Sequence, residues 1–124
     1  MKEFTGERVI PGLVDDELWD EHVARYAFAS RLASGKRVLD IGCGNGYGVA
    51  QMARTAAFAV GIDSAAEAAD AIFVQASATA LPFKPESFDL ITAFEVIEHL
   101  NAWEQMLAEA TRAASGRHVP CLHA

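Results

Sequence analysis

Between residues 37 and 50 the chain reads R-V-L-D-I-G-C-G-N-G-Y-G-V-A, and this stretch restricts the fold more than any other. Val38, Leu39 and Ile41 form a short apolar, β-rich run that breaks abruptly into Gly42, Gly44, Gly46 and Gly48. Val49, Ala50, Met52 and Ala53 then resume at helical spacing. The pattern predicts a strand, a tight glycine turn and a helix running to about Arg54. Glycines at alternate positions let the turn enter positive φ and leave no Cβ in the way, so a ligand can lie against the backbone at a helix N-terminus.

What the glycines fail to match narrows the ligand. The dinucleotide fingerprint G-x-G-x-x-G needs a third small residue, but Tyr47 stands there when counting from Gly42 and Val49 when counting from Gly44. A nicotinamide-dependent oxidoreductase is disfavoured on that ground. Asp40, at the end of the strand and beside the mouth of the loop, would repel a pyrophosphate and attract a sulfonium or ammonium group.

V-L-D-I-G-C-G-N-G resembles the first motif of class I S-adenosylmethionine (SAM)-dependent methyltransferases, with members of the type 11/12 kind as the nearest pattern. The resemblance covers roughly Phe4 to Ala114. It implies an α/β, Rossmann-like three-layer sandwich with a parallel sheet in the order 3-2-1-4, here lacking the usual strands 6 and 7. It also implies SAM as cofactor and S-adenosylhomocysteine (SAH) as product, bound over Asp40, Gly42, Cys43, Gly44 and Gly46. The expected function is a SAM-dependent methyltransferase acting on a small-molecule acceptor. The alternative is a catalytically silent or incomplete SAM-binding module that needs a partner chain.

At 124 residues the chain reads as one domain, 1–124, short for a doubly wound fold. A net charge of -7 opposes general affinity for nucleic acid or an anionic membrane, since both need a basic face. Cys43 and Cys121 give no disulfide framework, and the chain reads as cytoplasmic. Cys43 reads as a small loop residue rather than a nucleophile. The N-terminal stretch is too charged for a signal peptide, and no apolar run approaches the roughly twenty residues of a membrane span. Neither export nor anchoring is expected.

Residues 1–14, with Gly6, Pro11 and Gly12, read as an extended arm. From Asp15 the spacing of Leu18, Trp19, Val23, Tyr26 and Ala27 predicts a helix ended by Gly35, with acidic residues in its first turn and Arg31 in its last. T-G-E-R-V-I-P-G followed by E-H-x-x-R-Y resembles the leader of some bacterial methyltransferases, where arm and helix help to close over the cofactor; an arm that simply covers a sheet edge is the other reading. Phe58 to Ile62 reads as the second strand, ending in Asp63, an acid placed to accept both hydroxyls of a ribose. Ser64 and Glu67 form an S-x-x-E capping box, which frees Asp63 from capping in this reading and starts a helix to about Asp70. The third strand is expected over Ala71–Gln75.

Ala76 to Phe83 resembles the family's adenine-side loop, with Ser77 where many members carry Asp, and with Ala78 offering backbone. The fourth strand is expected over Phe88–Phe94, with Phe94 beside the cofactor. Asn101 and Glu104 read as the cap of a helix whose stripe of Trp103, Met106, Leu107, Ala110 and Ala114 is core. Residues 115–124, interrupted by Pro120, read as an irregular tail.

Methyl transfer depends mainly on positioning, and a base is required only where the acceptor carries a proton. Glu95 and His99, with Glu98, stand at the rim after the fourth strand; they are the catalytic candidates, and a solvated turn is the competing reading. E-x-x-E-H also resembles a metal-binding segment of ubiquinone-type O-methyltransferases and small-RNA 2′-O-methyltransferases, but a further ligand is lacking apart from His118, so no metal site is expected. The fourth strand is apolar on both faces with little beyond it in sequence, which predicts self-association as a homodimer.

Overall fold

The structure is a computed structural model that describes residues 16–44, 46–65, 72–94 and 101–115. The expected arm over 1–14, the body of the helix expected to end at Asp70, the segment containing Glu95, Glu98 and His99, and the tail beyond Ser115 lie outside the described residues.

The apolar run before the glycines forms β1 (Arg37–Ile41), and the helix after them is α2 (Tyr47–Ala53). They follow α1 (Asp16–Ala33) and precede β2 (Phe58–Asp63), β3 (Phe73–Gln75), β4 (Leu90–Thr92) and α3 (Trp103–Ala113). Every strand pair is parallel and the order is β3-β2-β1-β4, as the resemblance implied.

Strand alternation sorts the core into two layers, because successive side chains leave opposite faces of a sheet. Val38, Ala59 and Leu90 face Tyr26, Ala29 and Ala33 of α1 with Val49 and Met52 of α2. Leu39, Ile41, Val60, Ile62 and Ile91 face Met106, Ala110 and Ala113 of α3. Leu39 and Ile91 are register partners, both fully buried, and truncating either to alanine should cost about 2–5 kcal/mol. Apart from Asp40 in β1, the buried positions of the interior strands are therefore apolar on both faces, as is usual for parallel strands between two helical layers.

Four boundaries differ from the sequence pattern. The third strand starts at Phe73, and the fourth spans only Leu90–Thr92. The helix expected to be capped by Asn101 takes Ala102 as its N-cap, with no side-chain cap, because Met106 N–H donates to Ala102 O and sets the first turn there. Trp103, expected in the core stripe, is 42% exposed, and Met106, Ala110 and Ala113 are the buried face. In α1 the buried face is Tyr26, Ala29 and Ala33, while Ala27 is turned to solvent.

The outer side of the segment leading into β4 is also not bare. Phe88 forms a parallel bridge with Ala114, its N–H donates to Ala113 O at 3.0 Å, and Ser115 N–H donates to Phe88 O at 2.7 Å. The homodimer expected from an uncovered fourth strand loses part of its basis here. Among the described residues, no helix is long and apolar enough to cross a membrane.

Candidate functional site

The ends of β1 and β2 meet at the glycine loop. Gly42 and Cys43 N–H groups both donate to Ile62 O, at 2.8 and 3.0 Å, which turns the loop across the end of β2. Gly42, Gly44 and Gly46 have φ of 75°, 59° and 86°, a region that side chains rarely tolerate. Gly46 is the N-cap of α2 and carries no capping side chain.

Cys43 is 6% exposed and packs over Gly61. A Cβ at Gly61 would come within 2.6 Å of Cys43 Cβ, 2.7 Å of its Sγ and 2.8 Å of Val49 Cγ2. The thiol side chain is thus a filler between loop and sheet.

Asp63, at the tip of β2, holds this loop. Its Oδ2 accepts from Gly44 N–H at 2.9 Å, and its Oδ1 accepts from Ala65 N–H at 3.0 Å. The bond to Ala65 is a local Asx-type turn bond, and the helix that Ser64 was expected to cap lies outside the described residues. A carboxylate has room for about four accepted bonds, so service to the loop is compatible with a ribose. Ser64 is exposed, and its carbonyl accepts from Gln75 Nε2 at 2.9 Å.

Asp40 occupies a different place from the one its sequence position suggests. It is fully buried, with Oδ2 accepting from Tyr26 Oη–H at 2.6 Å and Oδ1 from Thr92 Oγ1–H at 2.7 Å. Its register partners are Gly61 and Thr92, so it points toward the α1 layer, beneath the loop rather than at an open mouth. Burial pushes its pKa up to about 7, against the two hydroxyl donors that lower it, and the Asp63 carboxylate adds to the rise.

Gln75 pairs with Asp63 in register, and Ala76 N–H donates to Asp63 O at 3.1 Å, so the chain leaves β3 beside the tip of β2. Ser77 and Ala78 follow at once, on the same end of the sheet. The Ser77 hydroxyl bonds to Thr79 Oγ1 at 2.8 Å and accepts from Thr79 N–H at 3.2 Å. Beyond it, Arg112 of α3 donates to Phe83 O at 2.7 Å and Leu81 O at 3.0 Å, while Glu109 accepts from Leu81 N–H at 2.8 Å. Phe94 is 9% exposed and meets Tyr26 edge to face at 4.9 Å, within the α1 layer.

Gly42, Gly44, Gly46, Asp63, Ser64, Ser77 and Ala78 are thus gathered at one end of the sheet, with Cys43 and Asp40 packed beneath. Sequence reasoning missed Tyr26 and Thr92 as the partners of Asp40. The available signal was Thr92 itself, a single polar residue within the apolar run from Leu90 to Phe94.

Residues 39–116 match the family described as a methyltransferase domain. The chain is 34% identical over 120 residues to a probable S-adenosylmethionine-dependent methyltransferase of Mycolicibacterium smegmatis, covering 88% of this chain and 46% of that protein. It is 34% identical over 119 residues to a demethylmenaquinone methyltransferase of Mycobacterium sp. strain KMS, covering 88% of this chain and 50% of that one. A crystal structure of a protein from Pyrococcus horikoshii OT3 shares the fold with a TM-score of 0.71 at 21% identity, over 93% of this chain and 64% of that one. The chain spans about half the length of the curated relatives it matches.

Proposed function

The chain belongs to the class I SAM-dependent methyltransferase family, and from that premise we propose that it binds SAM over the glycine loop and serves methyl transfer to a small-molecule acceptor. The observation that carries this reading is the bond from Gly44 N–H to Asp63, which sets a loop free of Cβ atoms and an acidic strand tip side by side. The residues fit the cofactor. Gly42, Gly44 and Gly46 offer backbone to its amino-acid portion, Asp63 offers acceptors to its ribose, and Ser77 and Ala78 border the adenine.

When bound, SAM supplies a methyl group made electrophilic by its sulfonium. The protein's contribution is then chiefly placement, worth several kcal/mol when reacting atoms are held in line. Asp40 sits beneath the loop as a carboxylate whose ionised form favours a cation nearby. Glu95 and His99, directly after the fourth strand in sequence, are assigned the role of base for an acceptor that carries a proton. The relative named for demethylmenaquinone and the net charge of -7 both favour a small acceptor over a nucleic acid.

Isothermal titration with SAM, SAH and NAD, followed by a methyl-transfer survey with labelled SAM over small phenolic and quinol acceptors, tests both halves of the reading. Binding of SAM and SAH with no response to NAD is the expected result. Saturable NAD binding without SAM binding would overturn it.

A further inference from the structure

Tyr26 touches three elements that border the glycine loop. Its hydroxyl donates to Asp40 at 2.6 Å, two residues before the loop begins. Its ring lies directly against the backbone of Gly48 in the first turn of α2, where an added Cβ would overlap the ring. The same ring meets Tyr47 edge to face at 5.5 Å and Phe94, just beyond β4, at 4.9 Å. With 2% of its surface exposed, the side chain has no room to swing away.

α1 precedes β1 by only a short turn, and its pattern of apolar residues suggests nothing beyond cover for the sheet. The contacts say more. A helix that merely covered a sheet would need apolar side chains there, and a phenylalanine would serve; instead a phenolic O–H is buried, which is favourable only because it finds a partner. Its partner is the one buried carboxylate among the described residues.

We propose that Tyr26 is a positioning residue of the cofactor site, fixing the end of β1 through Asp40 and the start of α2 through Gly48, so that α1 sets the pose of the glycine loop. The inference rests on the reading of that loop as the SAM site. Tyr26 also governs the charge beneath the loop. The groups acting on Asp40 are Tyr26 from α1, Thr92 from β4, Asp63 from β2 and Tyr47 from α2, and of these only the two hydroxyl bonds favour its ionised form. Removing the Tyr26 hydroxyl leaves Thr92 as the single side-chain donor to Asp40 among the described residues, so the carboxylate holds its proton to higher pH and presents less negative charge to a sulfonium.

The test uses the full chain and two readouts. Hydrogen exchange is measured without ligand over residues 42–48 in the wild type, Tyr26→Phe and Gly48→Ala, with the amides of α3 as internal reference. Both variants should exchange about tenfold faster in that segment than the wild type, with α3 unchanged. SAM and SAH affinities are then titrated from pH 5.5 to 9. The preference for the cationic SAM over neutral-sulfur SAH should rise with pH in the wild type, and its midpoint should move upward by about one unit in Tyr26→Phe. A structural role alone would lower stability without moving that midpoint. Loop exchange and midpoint both equal to wild type in Tyr26→Phe would overturn the proposal. If that variant fails to fold, Gly48→Ala decides through loop exchange alone. A wild type that binds neither ligand would refute the reading of the site, while the exchange comparison would still decide the role of Tyr26.

Discussion

Asp63 accepts a hydrogen bond from the backbone N–H of Gly44 at 2.9 Å, so the tip of β2 holds the loop that issues from β1. One carboxylate thereby has two jobs, keeping the loop in place and, in the proposed reading, receiving a ribose.

Asp63→Ala should accordingly weaken SAH binding by about 1.5–3 kcal/mol, the scale of a charge-assisted hydrogen bond. Asp63→Asn should fall between alanine and wild type, because an amide oxygen still accepts while its NH2 cannot. Titration calorimetry checks the order, and unchanged affinity in the alanine variant sinks the assignment.

The pH dependence of stability should carry the mark of Asp40. Its folded pKa is raised to about 7 by burial, against roughly 3.9 for an unfolded aspartate. A raised value means that the folded state holds the proton more tightly, so the contribution is fully present below pH 4 and is lost as pH climbs through 7. Asp40→Asn does not titrate. Its stability relative to wild type should therefore grow by on the order of 2–4 kcal/mol between pH 4 and 8. Urea denaturation at several pH values measures this, and a difference that stays flat across the window would contradict it.

Gly61→Ala should destabilise the fold although alanine is the better residue for an ordered backbone elsewhere. The new Cβ would sit 2.6–2.8 Å from Cys43 and Val49, and overpacking of a buried site costs about 1–3 kcal/mol. Cys43→Gly, made in the same chain, removes two of the three opposing atoms. Partial recovery in the double variant is expected from equilibrium unfolding, and strict additivity would show that the two sites do not press on one another.

The clasp of Arg112 and Glu109 on residues 81–83 predicts a local effect. Arg112 spreads its donors over Leu81 O, Phe83 O and Glu109, a fork that a lysine ammonium cannot reproduce. Arg112→Ala and Arg112→Lys should both speed hydrogen exchange in residues 80–84, with little change in the helicity of α3. Rescue by lysine would mean that charge rather than geometry holds the segment.

Much of this arrangement was legible because it is local. An apolar run that ends in alternating glycines can hardly be anything but a strand, a turn and a helix, and the acid at the end of Phe58–Asp63 follows from the same kind of reading. The sheet order was implied by resemblance to a family, and the strands pair in that order. Asn101 and Glu104 show where local signatures mislead: they match a capping box, yet the helix starts at Trp103 because its first hydrogen bond is made to Ala102. Asp40 was harder for a physical reason. Its burial depends on a strand 52 residues later reaching the right register, and on a tyrosine whose spacing looks like ordinary helix core. Neither distance nor register is written in the vicinity of residue 40.

The Thr92 bond to Asp40 also orders events in time. A ribosome adding about 5–20 residues per second needs roughly 3–10 s to go from residue 40 to residue 92. By the end of that interval the nascent chain has its ligand loop and β1 to β3 but no β4, so one flank of β1 has nothing to pair with. A chaperone that recognises unpaired apolar strands would meet this chain in that window, before the carboxylate beneath the loop has acquired its second hydroxyl.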